Sequence, residues 1–302
     1  MQLCFTAIMT SVKQQIKGPV FILLAAIFWS FGGLLGKLIP WSGITIAAFR
    51  GLFAAITIGI YRRSFRFRLN RSILLASLSL TLTTILFMMA NKLTSSANAI
   101  VLQYTSPIFI ILLSIFINKQ KPRKRDLFAL LGVFLGISLF FLEQLQSGNM
   151  LGDLLALASG LSFAGVFFAN KLPGASPIDA TFVGNLLSVL LIPFVFFDQG
   201  FALNQSPQVW LLIISMGVFQ LGFGYIFFAL GIKQTQATTA SIIATLEPVL
   251  NPIWVFLVLG EKPTTLSLIG ASIVLITVMI YNFIVTKSNF KPKLELESHH
   301  IT

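Results

Sequence analysis

"KLTSSANAIVLQYTSP" (residues 92–107) and "KQTQATTASIIATLEP" (233–248) lie 141 positions apart, and that offset decides the architecture. Lys92, Thr94, Ala99 and Pro107 of the first stretch fall on Lys233, Thr235, Ala240 and Pro248 of the second. The same shift carries Lys121-Pro122 onto Lys262-Pro263. Nearer the start of each half, "WSFGGLLGKLIP" (29–40) aligns with "LSFAGVFFANKLP" (161–173), allowing one gap. A shared apolar composition does not place prolines and lysines at one fixed offset, so the chain reads as two copies of one unit.

That unit is built for a bilayer. Of 302 residues 56% are hydrophobic and 10% charged, where a soluble domain carries about a quarter charged residues. A membrane-spanning helix needs about 20 mostly apolar residues. The chain supplies ten such segments, at about 19–39, 42–61, 72–91, 95–117, 126–143, 151–170, 178–197, 209–231, 238–259 and 264–285. Five spans per copy, an odd number, insert the second copy upside down. The expected fold is therefore an all-α polytopic membrane protein, ten transmembrane helices as two inverted five-helix repeats. Residues 19–145 form the first repeat and 146–286 the second, flanked by an N-terminal segment, 1–18, and a polar tail, 287–302. Inverted repeats are the hallmark of secondary transporters, with the binding site near the midplane between them.

Charge sets the expected orientation. Of 21 lysines and arginines, seventeen fall on one set of ends and connectors, among them the arginines of "RRSFRFRLNR" (62–71) and the basic residues of "KQKPRKR" (119–125). Three, Lys37, Lys92 and Lys262, fall on the other set, and Arg50 lies mid-span. The positive-inside rule then places both termini in the cytoplasm of a plasma-membrane protein. It also accounts for the net charge of +12 without nucleic acid. The two basic loops are expected to hold this topology and touch anionic lipid. A single cysteine, Cys4, excludes an internal disulfide, and His299 and His300 in the tail lack partners at ligand spacing, so no metal and no cofactor is expected. Residues 1–12 are too short to span and lack the charge and cleavage pattern of a signal peptide.

With these features the chain resembles the drug/metabolite transporter superfamily, specifically the EamA family of ten-span carriers, over about residues 19–285. "LEPVLNPIWVFLVLGEKPTTLSLIGA" (246–271) carries the resemblance most clearly, with "TSPIFIILLSIFINKQKPRKRDLFALLGVFLG" (105–136) its weaker counterpart. The first half departs by placing Ser106 where the second has Glu247, and Gln120 where it has Glu261. The resemblance implies a carrier of amino acids, other metabolites or drugs, often outward. Close fold relatives move nucleotide sugars and sugar phosphates.

Two charges lie deep in the spans, Arg50 and Glu247. Each costs about 2.5–3.5 kcal/mol at a helix centre on insertion scales, so both are expected to face the interior, as substrate or coupling groups or as a structural ion pair. Desolvation favours the neutral form of a carboxyl, which suits Glu247 to proton coupling. Pro248 has no N–H and leaves the Ala244 carbonyl without its helical partner; Pro252 does the same to Pro248, and Pro107 to Gln103. Such carbonyls are tolerated at membrane depth only against protein or a wet cavity, so Pro107, Pro248 and Pro252 mark a hinge or cavity wall. Asn251 shares the face of Glu247 one turn on. Gln103 and Tyr104 lie one turn from Pro107. Trp29, Ser30, Ser162, Asn185 and Tyr225 complete the candidate set, with Gln220 and Asn185 read first as interhelical hydrogen-bonding groups.

The leading expectation is a secondary carrier exporting a small metabolite such as an amino acid, with protons the candidate coupling ion. A nucleotide-sugar, sugar-phosphate or drug carrier of the same fold ranks second, since a phosphate-bearing substrate calls for more deep basic residues than Arg50. An intramembrane enzyme ranks third: histidine is absent from every span, and neither a paired-histidine metal motif nor a glycine-flanked nucleophilic serine occurs. The expected partners are a small molecule and lipid, without nucleic acid.

Overall fold

The structure is a computed structural model that describes residues 18–119, 123–147, 150–170, 172–232, 234–235, 243–244 and 246–298. Helices dominate it, and no strand occurs among the described residues. In chain order they are α1 (Gly18–Leu38), α2 (Gly43–Arg62), α3 (Arg71–Leu93), α4 in two segments (Ser96–Gln103 and Ser106–Asn118), α5 (Lys124–Ser147) and α6 (Met150–Ala169). Then come α7 (Pro177–Ser188, continued by a 3₁₀ segment Val189–Phe197), α8 (Pro207–Ile232), α9 (Leu246–Leu259) and α10 (Thr265–Ser298). Seven of these are long and apolar enough to cross a membrane, and Leu246–Leu259 and Thr265–Tyr281 are shorter apolar helices. The protein is an all-α polytopic membrane protein.

Local chemistry sets the helix ends. Ser42, Asn70 and Ser95 cap α2, α3 and α4, accepting from the backbone N–H groups of Thr45, Ile73 and Asn98, which satisfies donors a helix start leaves free. Pro177 and Pro207 open α7 and α8, where a missing N–H costs nothing. The expected span 95–117 is broken at Tyr104–Thr105. Pro107 cannot donate to the Gln103 carbonyl, so the first segment stops there, and Pro107 sits in the opening turn of the second, where it is tolerated. The expected span 178–197 turns 3₁₀ over its last nine residues, which include Pro193. The last helix does not stop at 285 but runs to Ser298, so part of the polar tail is helical. The N-terminal segment 1–17, Lys171, Lys233 and His299 and His300 lie outside the described residues.

The most extensive helix contacts all join the two halves: α3 with α6 and α7, α5 with α10, and α2 with α7 and the middle of α8. Polar contacts group at two ends. At one, Lys37 lies 3.7 Å from Glu261, Thr94 Oγ1 donates to Asp153 Oδ1 at 2.7 Å, and the Ser42 N–H donates to Asp198 Oδ2 at 2.7 Å. At the other, Arg62 pairs with Asp179, Asn70 Nδ2 donates to the Gly174 carbonyl at 2.8 Å and Ser72 Oγ to that of Pro173 at 2.7 Å. Connectors thus alternate between ends, as antiparallel spans require.

Candidate functional site

Arg50 sits two turns into α2 and is 2% exposed. Its Nη2 donates to the Thr84 carbonyl on α3 at 2.8 Å, while its Nε has no hydrogen-bond partner among the described residues. Glu247 opens α9 and is 8% exposed. Tyr104, at the break in α4, places its hydroxyl 2.6 Å from Glu247 Oε2 and 3.0 Å from the Ala244 carbonyl. The carbonyl freed by Pro248 is therefore met by a side chain from the other half. Its counterpart, the Gln103 carbonyl, is covered differently: α6 comes so close at Gly160 that a Cβ there would lie 2.9 Å from it.

Arg50 and Glu247 face one pocket of about 40 Å³, room for about three waters. Among the described residues no ion pair joins them. Trp29 from α1, Gln103 from α4 and Tyr225 from α8 share the wall. Thr83, Thr84 and Phe87 from α3, Phe163 from α6, and Gln220 and Leu221 from α8 complete it. Trp29 packs edge-on against Tyr225, with ring centroids 5.3 Å apart.

Gln220 reaches the cavity because α8 changes form. Met216–Phe223 is π-helical, a rare geometry that occurs frequently at functional sites. Gly217 lets this segment lie against α2, where a Cβ would fall 2.8 Å from the Arg50 carbonyl. The Gln220 Nε2 lies 3.4 Å from the Trp29 carbonyl, and its Oε1 has no partner among the described residues.

The other candidates lie elsewhere. Ser30 accepts from Trp254 Nε1 at 3.0 Å, and Phe31 stacks on the Trp254 ring, so they join α1 to α9. Asn251 belongs to that seam: fully buried against Gly33, its amide has no hydrogen-bond partner on either atom among the described residues. Asn185 bonds back to Thr181 of its own helix at 2.8 Å, and Ser162 is half-buried on α6 away from the cavity wall. Pro248 is buried beside Glu247, and Pro252 lies within an unbroken α9. For Pro107 only the backbone is described. No group of three or more metal-ligating side chains occurs among the described residues.

The model of the EamA-like transporter family matches residues 16–142 and, a second time, residues 150–283. An uncharacterized transporter of Archaeoglobus fulgidus is 29% identical over 202 residues, 66% of this chain and 72% of its own. One of Clostridium kluyveri is 26% identical over 284 residues, 86% of this chain and 91% of its own. A crystal structure of 17% sequence identity shares the fold, with a TM-score of 0.60 over 90% of this chain and 98% of that one.

Proposed function

Because this chain belongs to the EamA-like transporter family, we propose that it is a secondary carrier that moves a small amphipathic metabolite, an amino acid by preference, by alternating access with proton exchange at Glu247. It is a multi-pass membrane transporter rather than an enzyme. One observation carries the finer proposal: a guanidinium and a carboxyl from opposite halves face one pocket without pairing. A ligand bearing both a carboxylate and an ammonium group complements such a pair, while Trp29, Phe87, Phe163 and Tyr225 offer apolar faces to the rest of it. A phosphate-bearing ligand fits less well, because among the described residues Arg50 is the one cationic side chain in the wall.

A 40 Å³ cavity holds waters, not a metabolite, and the halves are tied at both ends. The conformation is thus one without room for the ligand. Entry on one side requires the Lys37–Glu261 and Ser42–Asp198 contacts to part; entry on the other requires the Arg62–Asp179, Asn70–Gly174 and Ser72–Pro173 contacts to part. With the arginine-rich end inside, the chain sits in the plasma membrane with both termini cytoplasmic, and export runs toward the Lys37 end.

The test is transport of a labelled amino-acid panel in proteoliposomes with an imposed pH gradient. Glu247→Gln is expected to abolish gradient-driven accumulation while retaining exchange down a substrate gradient, and Arg50→Ala to raise KM. Full gradient-driven transport by Glu247→Gln would exclude Glu247 as the coupling group.

A further inference from the structure

The chain between α2 and α3 does more than turn around. After Arg63, in the left-handed conformation at φ 52°, residues 64–70 have no regular secondary structure. In "SFRFRLN" apolar and basic residues alternate: Phe65, Phe67 and Leu69 against Arg66 and Arg68. Phe65 and Phe67 both approach the Phe182 ring of α7, each with centroids 6.1 Å away. Yet Phe65 stays 58%, Phe67 40% and Leu69 56% exposed.

The strap is held in place. Arg62 lies over the same Phe182 ring at 4.6 Å, pairs with Asp179 and donates to the carbonyls of Ser64 and Arg66. Arg62 occupies that carboxylate. Arg63, Arg66, Arg68 and Arg71 are all exposed and form no ion pair among the described residues. Four like charges within nine residues repel one another unless anions lie between them. The strap joins two membrane spans, so it lies at the level of the lipid headgroups, where half-exposed aromatic rings are stable and phosphates supply the anions.

We propose that residues 63–71 form a binding site for anionic phospholipid, with Phe65, Phe67 and Leu69 dipping into the bilayer interface and Arg63, Arg66, Arg68 and Arg71 holding the headgroup phosphate. A positive charge near an anionic surface contributes about 1 kcal/mol, about a fivefold change in affinity. The strap is bonded to Gly174 and Asp179 of the second half, so bound lipid stabilises a junction between the halves. The proposal stands apart from the identity of any transported substrate.

The test uses the full chain in a neutral detergent, titrated with short-chain phosphatidylglycerol and followed by thermal melting. A saturable rise in Tm is expected with phosphatidylglycerol and none with phosphatidylcholine or inorganic phosphate. Arg66→Gln with Arg68→Gln is expected to raise the half-saturating lipid concentration about 25-fold. Arg123→Gln with Lys124→Gln, which removes the same charge from the exposed start of α5, is expected to leave it within about twofold. An unchanged midpoint in the strap variant, equal weakening in the control variant, or the same Tm rise with phosphatidylcholine or inorganic phosphate would each overturn the proposal.

Discussion

Gly33→Ala tests the seam between α1 and α9. A Cβ at position 33 would lie 2.8 Å from Asn251 Nδ2 and 2.9 Å from its Cγ, where ordinary contact begins at 3.4 Å. The amide oxygen would be closer still, so the amide must retreat by about 1 Å, and because Asn251 is fully buried α1 and α9 must part with it. Overpacking of this kind costs about 1–3 kcal/mol. Asn251→Ala alone should cost less than a normal buried polar deletion, because its amide has no hydrogen bond to lose. With the amide gone, the three atoms nearest the methyl at position 33 are gone too, and Gly33→Ala should then cost under about 0.5 kcal/mol. The coupling in the double-mutant cycle is therefore about 0.5–3 kcal/mol, read from unfolding midpoints in mixed micelles. Equal costs of Gly33→Ala in both backgrounds would refute the packing argument. The same Asn251→Ala protein, stable but slow in transport, would assign the unpartnered amide to another conformation of the cycle.

Two further outcomes follow from the site and its rim. Tyr104→Phe removes a hydrogen bond to a carboxyl, about 1.5–3 kcal/mol for a charged partner, so gradient-driven transport should fall about tenfold or more at unchanged expression, measured as initial rates. Asp198, at the end of α7, is pushed up by burial, but hydrogen bonds from Thr45, Ser42 and Gly200 outweigh this and hold its carboxyl below the ordinary range. Its stabilisation is thus fully present above the unfolded value of about 3.9 and is lost as pH falls through the lowered folded value. Asp198→Asn should therefore flatten the acid limb of the stability curve below about pH 4, and an unchanged limb would contradict that sign.

The spans were legible because a bilayer imposes length and apolarity on each of them, whereas the Tyr104–Thr105 break was not: Pro107 marked a freed carbonyl inside an expected span, and not that the helix would stop there. The meeting of Arg50 with Glu247 at one cavity was not legible, since it needs two halves packed together. Thr83 and Thr84 escaped notice for a different reason. Their hydroxyls donate to the Ser79 and Thr81 carbonyls of their own helix, so threonine in a span gives no sign of what its other side faces. The π-helical turn of α8 left no mark in residue type either: Gly217 and Gly222 look like ordinary packing glycines until α2 is seen against them. The tail was read as polar because its charges end the apolar run, yet "KPKLELES" (291–298) continues a helix once α10 has begun it.

A phenol has one proton to give, and Tyr104 stands within reach of two acceptors. When Glu247 is ionised it takes that proton's hydrogen bond, and the Ala244 carbonyl, already without an amide partner because of Pro248, goes unserved. When Glu247 gains a proton, its own O–H can donate to the phenol oxygen, which frees the phenol proton to turn to Ala244. Protonation is thereby converted into one hydrogen bond made or missing on the main chain at the entry to α9. A charge that never leaves its side chain can in this way alter how firmly a neighbouring helix is held.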